Sequence, residues 1–267
     1  MASDSSPGEL KIEPIPAFDD NYIWLLSRDA YSGCAVVDPG DEDPVIDTLD
    51  ARGLQLEAIL ITHKHGDHVG GIDALKARWP QALVYGPANE AIGGLERKLG
   101  GGDLVELDGL GLSFDVLDVP GHTEGHIAYA GEGALFCGDT LFACGCGRVF
   151  SGTFEQLSDS LRALSELPAA TQVFCAHEYT QDNIGFAKWV EPENPDLLSR
   201  ERKVAELREA ERPSVPSSLG EEMLTNPFMR TSESSVIAAA ERWAGAPLGN
   251  PAEVFRALRT WKDKEYD

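Results

Sequence analysis

Three of the chain's six histidines stand close together in the segment THKHGDHVGG. His63, His65, Asp67 and His68 supply imidazole and carboxylate groups, the ligand types that Zn, Fe and Mn use in proteins. The apolar run AILIT at residues 58–62 precedes them and is typical of a buried strand. Because glycines interrupt and follow the cluster, we predict a tight turn whose side chains converge on a metal site. A solvated polar loop is the alternative.

Three further candidate ligands each follow a predicted strand. His122 comes after FDVLDV, Asp139 after ALFC, and His177 after QVFCA. Open α/β folds place their sites where strands end, so four strand ends that each deliver a ligand indicate one shared crevice. His126 begins a strand, and we expect it to be a hydrogen-bonded structural histidine rather than a ligand.

Two other features have competing interpretations. Asp38, in VVDPG, either orients a ligand histidine or caps a turn. Cys144 and Cys146 form a C-x-C pair without partners at structural zinc spacing, so close packing of a glycine-rich loop is favoured over a zinc site. The five cysteines show no disulfide spacing, which indicates a reducing compartment.

The elements expected to position these residues change in character along the chain. Up to about residue 177, short apolar strands alternate with helices, which is typical of an α/β domain. Beyond that point helical periodicity dominates. We therefore predict an α/β metal-binding catalytic domain over residues 1–177 and a helical substrate-binding domain over residues 178–267.

Composition and charge exclude several classes of protein. With 267 residues, 42% hydrophobic and 25% charged, the chain is typical of a globular protein. Its formal net charge of −23 argues against nucleic acid and membrane surfaces as partners, and it suits a high-salt cytoplasm or an ordinary solvated surface equally well. No apolar run reaches the ~18 residues of a membrane span, and no signal peptide is visible. We expect a cytoplasmic monomer.

The motifs together resemble the metallo-β-lactamase superfamily. THKHGDH, PGHTEGH, CGDT and AHEYT carry that resemblance. FDDNYIWLL, GDTLFACGCGRVFSGT, NPFMR and RTWKDK are similar to its glyoxalase II (hydroxyacylglutathione hydrolase) branch. The resemblance covers essentially the whole chain. It implies an αββα sandwich followed by a smaller all-helical C-terminal domain.

The resemblance also implies two divalent metal ions, with Zn favoured and Fe or Mn as alternatives. The implied ligands are His63, His65 and His122 for one ion, Asp67, His68 and His177 for the other, and Asp139 as the bridge. The implied reaction is hydrolysis of S-(2-hydroxyacyl)glutathione, such as S-D-lactoylglutathione, by a metal-bound hydroxide in the second step of methylglyoxal detoxification. Asp67 and Asp139 would orient this nucleophile.

Substrate contacts outside the metal site follow from the same resemblance. Arg148 matches a basic position of the family, and Tyr179 matches a tyrosine that contacts the glutathione moiety. On the predicted last helix, residues 251–264, Arg259 and Lys262 are expected at the rim of an apolar stripe, where they would bind the glycyl carboxylate. A solvated helix edge that binds nothing is the alternative.

Other functions stay open at this point. A lactonase, a β-lactamase or a persulfide dioxygenase would share the superfamily motifs, and the dioxygenase would use one iron and no Asp67 ligand. A metal-binding interaction module is the non-enzymatic alternative. The complete ligand set favours an enzyme, and the segments GCGR, HEYT and RTWKDK favour glutathione thioesters.

Overall fold

The computed structural model describes residues 8–29 and 31–266. The chain divides into two compact units, Met1–Leu117 with Ile127–Glu132 and Asp118–His126 with Gly133–Asp267. The predicted domain boundary between residues 177 and 178 falls inside the second unit and stays a prediction. Within the described part of the chain, none of the helices has both the length and the hydropathy that crossing a membrane requires.

The first unit contains nine of the described strands, of which β1 to β6 form one six-stranded sheet. Its strands are β1 (Leu10–Ala17), β2 (Asn21–Arg28), β3 (Gly33–Val37), β4 (Gln55–Leu60), β5 (Leu83–Pro87), β6 (Arg97–Leu99), β7 (Leu104–Leu107), β8 (Leu112–Asp118) and β9 (Ile127–Gly131). Its helices are α1 (Asp43–Arg52), α2 (Gly66–Val69) and α3 (Ile72–Arg78). β1 to β6 pair in sequence order, antiparallel up to β3 and parallel from β3 to β6. β7 pairs antiparallel with β8.

The central strands of this sheet are buried, and their ends position polar residues. All five residues of β3 are buried, which is typical of a strand covered on both faces. Apolar residues of α1 and α3, among them Val45, Leu49 and Leu75, belong to the same core as this sheet. Because β3 and β4 are parallel, Asp38 and Thr62 emerge at the same edge of the sheet.

The second unit is mostly helical. Its strands are β10 (Ala134–Gly138), β11 (Leu141–Phe142), β12 (Gly145–Cys146), β13 (Gln172–Cys175) and β14 (Ser217–Ser218). Its helices are α4 (Phe154–Leu164), α5 (Thr180–Val190), α6 (Pro195–Glu209), α7 (Leu219–Thr225), α8 (Ser234–Ala244) and α9 (Pro251–Trp261), and a π-helical turn follows over Lys262–Tyr266. β10 pairs parallel with β13, which pairs antiparallel with β14, and β11 pairs antiparallel with β12.

Several helices of the second unit begin at a residue whose side chain caps the helix. Thr153 and Gln156 form a capping box at the start of α4. Asn194 caps α6 and Asn250 caps α9, and in both helices a proline follows at the first helical position. The capped α9 packs against α4 and α8. This packing buries one face of the C-terminal helix.

Candidate metal centre

The loop after β4 carries the candidate ligands of the first unit. His63 and His68 are buried, whereas Lys64 is exposed, as expected for a cation beside a metal site. His63 Nε2 lies 3.0 Å from His65 Nδ1. His68 Nε2 lies 3.5 Å from Asp67 Oδ2. The short turn therefore brings imidazole and carboxylate donor atoms into pairs close enough to share a cation.

Asp38 sets the proton positions of two of these histidines. Its Oδ2 accepts from Thr62 Oγ1 at 2.7 Å and lies 3.0 Å from His68 Nδ1. Because the Thr62 hydroxyl gives its only proton to Asp38, it must accept from His63 Nδ1, 3.1 Å away. Both histidines then carry their proton on Nδ1 and keep the Nε2 lone pair. This is the tautomer that binds a metal ion through Nε2.

Two residues that support this loop lie on β2 and at the end of β3. Asn21 Nδ2 donates to Asp67 Oδ2 at 3.0 Å and so fixes that carboxylate. Sequence reasoning missed Asn21, although it stands in the segment FDDNYIWLL that carries the family resemblance. Asp38 has a left-handed backbone with φ of 53°, and its N–H donates to Leu60 O at 2.9 Å. Its side-chain contacts favour the orienting role over the turn-capping one.

Asp139 faces two imidazoles in the second unit. Its Oδ2 lies 3.4 Å from His122 Nε2, and its Oδ1 lies 3.4 Å from His177 Nε2. His122 Nδ1 lies 2.8 Å from Arg148 O, and a carbonyl oxygen can only accept, so Nδ1 carries the proton. His122 Nε2 and the carboxylate are then both acceptors. A shared cation would stabilise this arrangement, so the donor set fits a divalent metal ion.

His126 supports Asp139 through the backbone. The Asp139 N–H donates to His126 Nε2 at 3.2 Å, which uses the lone pair that a metal would need. The expectation of a hydrogen-bonded structural histidine is confirmed. Cys144 is also no ligand, because its Sγ lies 3.6 Å from Thr225 Oγ1 and burial raises the pKa of its thiol to about 12.

The candidate substrate residues Arg148 and Tyr179 present their side chains to solvent. The side chain of Arg148 is 56% exposed, and Tyr179 is 36% exposed. Tyr179 stacks on His177 with ring centroids 4.7 Å apart and planes 5° from parallel. Phe150, two residues after Arg148, is exposed. Its ring packs edge to face against His122, with ring centroids 5.2 Å apart. An exposed aromatic ring therefore packs against each of the two histidines, Phe150 against His122 and Tyr179 against His177.

The prediction that Arg259 and Lys262 lie at the rim of the last helix's apolar stripe is wrong, because both residues are buried. Arg259 is 1% exposed and Lys262 is 6% exposed. Arg259 Nη1 donates to Cys146 O at 3.1 Å, and its Nη2 donates to Asp263 Oδ1 at 2.9 Å. The apolar stripe of α9 is wider than expected, because this helix packs against two others, and the wide stripe takes in the flank on which Arg259 lies.

Comparison with known proteins agrees with these observations. A model of the metallo-β-lactamase superfamily matches residues 18–177, and a model of the hydroxyacylglutathione hydrolase C-terminus matches residues 178–265. A hydroxyacylglutathione hydrolase from Alkalilimnicola ehrlichii is 53% identical over 95% of this chain and 99% of its own. One from Nitrosomonas europaea is 49% identical over 95% of this chain and 96% of its own.

The chain belongs to the hydroxyacylglutathione hydrolase family. It is therefore an enzyme, a hydrolase whose metallo-β-lactamase domain is followed by a helical C-terminal domain, and the predicted fold class is confirmed. Among solved structures, ETHE1 from Myxococcus xanthus is 26% identical with a TM-score of 0.64, over 94% of this chain and 96% of its own.

A second solved structure with a similar fold holds metal ions. TTHA1623, solved in a di-iron-bound form, is 26% identical with a TM-score of 0.58, over 81% of this chain and 99% of its own. The fold of the family and the clustered histidine and aspartate donors support the binding of divalent metal ions.

Proposed function

We propose that the protein hydrolyses the thioester S-(2-hydroxyacyl)glutathione, with S-D-lactoylglutathione as its main substrate. The products are glutathione and a 2-hydroxy acid, here D-lactate, in the second step of methylglyoxal detoxification. The observation that carries the proposal is identity of about 50% to hydroxyacylglutathione hydrolases over 95% of the chain, helical C-terminal part included.

We propose two divalent ions, with Zn favoured over Fe or Mn. The ligands are His63, His65 and His122 for one ion, Asp67, His68 and His177 for the other, and Asp139 between them. Support comes from the close donor pairs within each unit and from the di-iron form of the related TTHA1623. When bound, such ions supply hydroxide at neutral pH and polarise a carbonyl group.

Asp139 and Asp67 are the proposed catalytic residues. Each oxygen of Asp139 faces a different imidazole, which suits a carboxylate shared between two ions. Asn21 holds the carboxylate of Asp67 by a hydrogen bond of 3.0 Å, so Asp67 is in a fixed orientation to align a nucleophile.

The departure of the leaving group requires little assistance from the protein. Water adds to the thioester carbonyl, the C–S bond breaks, and glutathione departs as a thiolate while the acyl carbon becomes a carboxylate. Because a thiol has a pKa of about 8.5, the sulfur needs little help from a general acid. The chain's task is therefore to orient the carbonyl and the nucleophile.

Arg148, Tyr179, Arg259 and Lys262 are the proposed substrate-binding residues. The exposed Arg148 and Tyr179 suit direct contact with the glutathione peptide. Lys262 Nζ lies 5.5 Å from the ring of Tyr266, beside the buried Arg259. We also propose a cytoplasmic location, which the five buried free cysteines support, and a monomeric state.

A substrate panel tests the proposal. The purified protein with measured metal content is given S-D-lactoylglutathione, a simple lactone, a β-lactam and glutathione persulfide, and S-D-lactoyl-N-acetylcysteine, whose blocked amine prevents acyl migration, serves as the matched thioester without the peptide. We expect kcat/KM in the usual enzymatic range of about 10⁴–10⁸ M⁻¹s⁻¹ for the glutathione thioester alone. Faster turnover of the lactone, the β-lactam or the persulfide would overturn the proposal.

A further inference from the structure

The glycine-rich loop, defined as Phe142–Arg148, has its backbone bonded to side chains of the helical segments. Asn226 Nδ2 donates to Phe142 O at 3.2 Å and to Gly145 O at 2.9 Å. Asn183 Nδ2, on α5, donates to Ala143 O at 3.1 Å. Two amide side chains thus hold three carbonyl oxygens of a loop whose own regular structure is limited to the short β11–β12 pair.

Two charged side chains complete these bonds. The Cys144 N–H donates to Glu222 Oε2 at 2.8 Å, and Cys146 O accepts from Arg259 Nη1 at 3.1 Å. Cys144 has a φ of 58°, a conformation that a residue with a Cβ adopts only when its surroundings impose it. The Glu222 carboxylate supplies that constraint. Each residue from Phe142 to Cys146 therefore has one backbone group bonded to Asn183, Glu222, Asn226 or Arg259, which we call the clamp residues.

The clamp rests on a buried ion pair. Glu222 is 0% exposed, and its Oε1 accepts from Arg200 Nη2 at 2.5 Å and from Ser217 Oγ at 2.6 Å. Its Oε2 also accepts from Asn226 Nδ2 at 3.1 Å, which fixes the orientation of that amide. A buried ion pair contributes little net stability compared with an apolar pair of the same size. The arrangement is better explained by the geometry that it imposes on the loop.

The far end of the loop lies against the ligands of the second unit. Arg148 O accepts from His122 Nδ1 at 2.8 Å. A Cβ added at Gly147 would lie 2.0 Å from Asp139 O and 2.9 Å from His122 Nδ1, so the loop backbone touches both residues. A shift of the loop by a fraction of an ångström would therefore move the carbonyl that holds the His122 ring.

We infer that the clamp residues are positioning residues for the metal centre: they hold the glycine-rich loop so that the Arg148 carbonyl keeps His122 in its Nδ1–H tautomer. The helical C-terminal part thereby sets metal affinity in addition to its proposed role in substrate binding. For Arg259, this assigns a role through the loop. The inference rests on the proposed ligand role of His122 and is independent of the substrate.

Asn226→Ala tests the inference, because it removes two loop bonds and leaves the Arg200–Glu222 pair in place. The matched control is Asn194→Ala. Asn194 also donates its amide to a backbone carbonyl, Leu224 O at 2.9 Å, and caps a helix, but it bonds no residue of the loop. Zinc affinity of each holoenzyme is measured by competition with a chelator. Long-range ¹H–¹⁵N spectra follow the exchange of the His122 Nδ1 proton with water.

We expect Asn226→Ala to bind zinc about 10- to 100-fold more weakly, the usual effect of losing support for a ligand, and to exchange the His122 proton faster. Asn194→Ala should lower the melting temperature and leave both readouts unchanged. Unchanged readouts in folded Asn226→Ala, or an equal loss in Asn194→Ala, would overturn the inference. If Asn226→Ala does not fold, Asn183→Ala, which removes one loop bond, should weaken zinc binding several-fold. Wild-type affinity there would overturn the inference equally.

Activity is not among these readouts. A protein that fails to hydrolyse S-D-lactoylglutathione but shows the expected zinc and proton-exchange effects would refute the proposed function and leave the clamp intact. The reverse result, full thioesterase activity with unchanged zinc affinity in both variants, would refute the clamp alone.

Discussion

The two groups of candidate ligands are supported by different kinds of structure. In the first unit, His63 and His68 belong to one short loop, and their protons are fixed by Thr62 and Asp38 at the ends of two parallel strands. In the second unit the ligands come from three separate segments. There the ring of His122 depends on the carbonyl of Arg148.

This difference shows how far each group depends on the rest of the chain. The described contacts of the first loop come from Asn21, Asp38 and Thr62, which lie on one sheet or at its edge. The second group needs the glycine-rich loop, and that loop needs side chains up to about 110 residues away, as with Arg259 and Cys146. Damage to the helical segments should therefore affect the second group and spare the first.

The largest effect should come from the residue that faces two imidazoles in the second unit. Asp139→Ala would leave the two proposed cations without the anion proposed to bridge them, so we expect kcat to fall by at least ~10³-fold and bound metal to fall below two ions per chain. Steady-state kinetics and elemental analysis measure both. The exposed Asp115→Ala is the control. Normal turnover with full metal content would refute the bridging role.

The support of the first group can be removed by Asp38→Asn. The carboxylate accepts from the Thr62 N–H, the Thr62 hydroxyl and His68, whereas an amide offers one oxygen and turns a donor toward the others. We expect zinc affinity to fall about 10- to 100-fold. Chelator competition measures this, with the exposed Asp47→Asn as control. Wild-type affinity would show that this loop holds its ligands without Asp38.

A smaller effect, on substrate capture, is expected from Arg148→Ala, which removes an exposed side chain but keeps the carbonyl bonded to His122. A contact remote from the breaking bond holds ground state and transition state equally, so we expect KM to rise about 10-fold with kcat and zinc affinity unchanged. Arg202→Ala, an exposed arginine of α6, is the control. A fall in kcat with constant KM would place Arg148 at the reacting carbonyl instead.

The smallest effect is expected from Glu191→Gln, which should lower the free energy of unfolding by an amount that depends on pH. Burial acts to raise the pKa of Glu191, but bonds from Arg230 and Ser235 outweigh it and hold the pKa below its usual value. A depressed pKa gives stability that is complete above the unfolded value of about 4.3 and lost as the pH falls through the folded value. We therefore expect Glu191→Gln to destabilise the protein by about 1.5–3 kcal/mol at pH 7.

The same Glu191→Gln variant should differ little from the wild type once the pH falls below the folded-state pKa of Glu191, where the carboxyl is protonated in both states. Denaturant titrations across pH measure this difference, and the exposed Glu193→Gln serves as control. A difference that persists unchanged in acid would exclude the charged pair as its source. Zinc affinity at neutral pH should stay constant, because this pair lies outside the clamp residues.

Much of the fold and of the ligand set was predictable because both leave local patterns. The run at 58–62 marks β4, and the periodicity at 251–264 marks α9 with buried Val254 and Leu258. Histidine clustering beside such a strand is likewise visible in a few residues. His126 could be separated from the ligands because it begins a strand instead of following one.

Two features could not be predicted from the sequence: the burial of Arg259, and the bonds between the clamp residues and the glycine-rich loop. Helical periodicity tells which face of α9 is apolar, but the width of the buried face depends on how many helices pack against it. The bonds of Asn226 and Glu222 to the glycine-rich loop join residues about 80 positions apart. In the sequence, neither Asn226 nor Glu222 differs from an ordinary polar residue.

The central claim is that this chain is a glutathione thioesterase that works with two divalent ions. The most direct test removes the metal, adds zinc in steps, and follows bound metal and S-D-lactoylglutathione hydrolysis together. We predict no turnover without metal and a rise in rate that ends at about two ions per chain. Full activity without metal, or a plateau at one ion, would contradict the account.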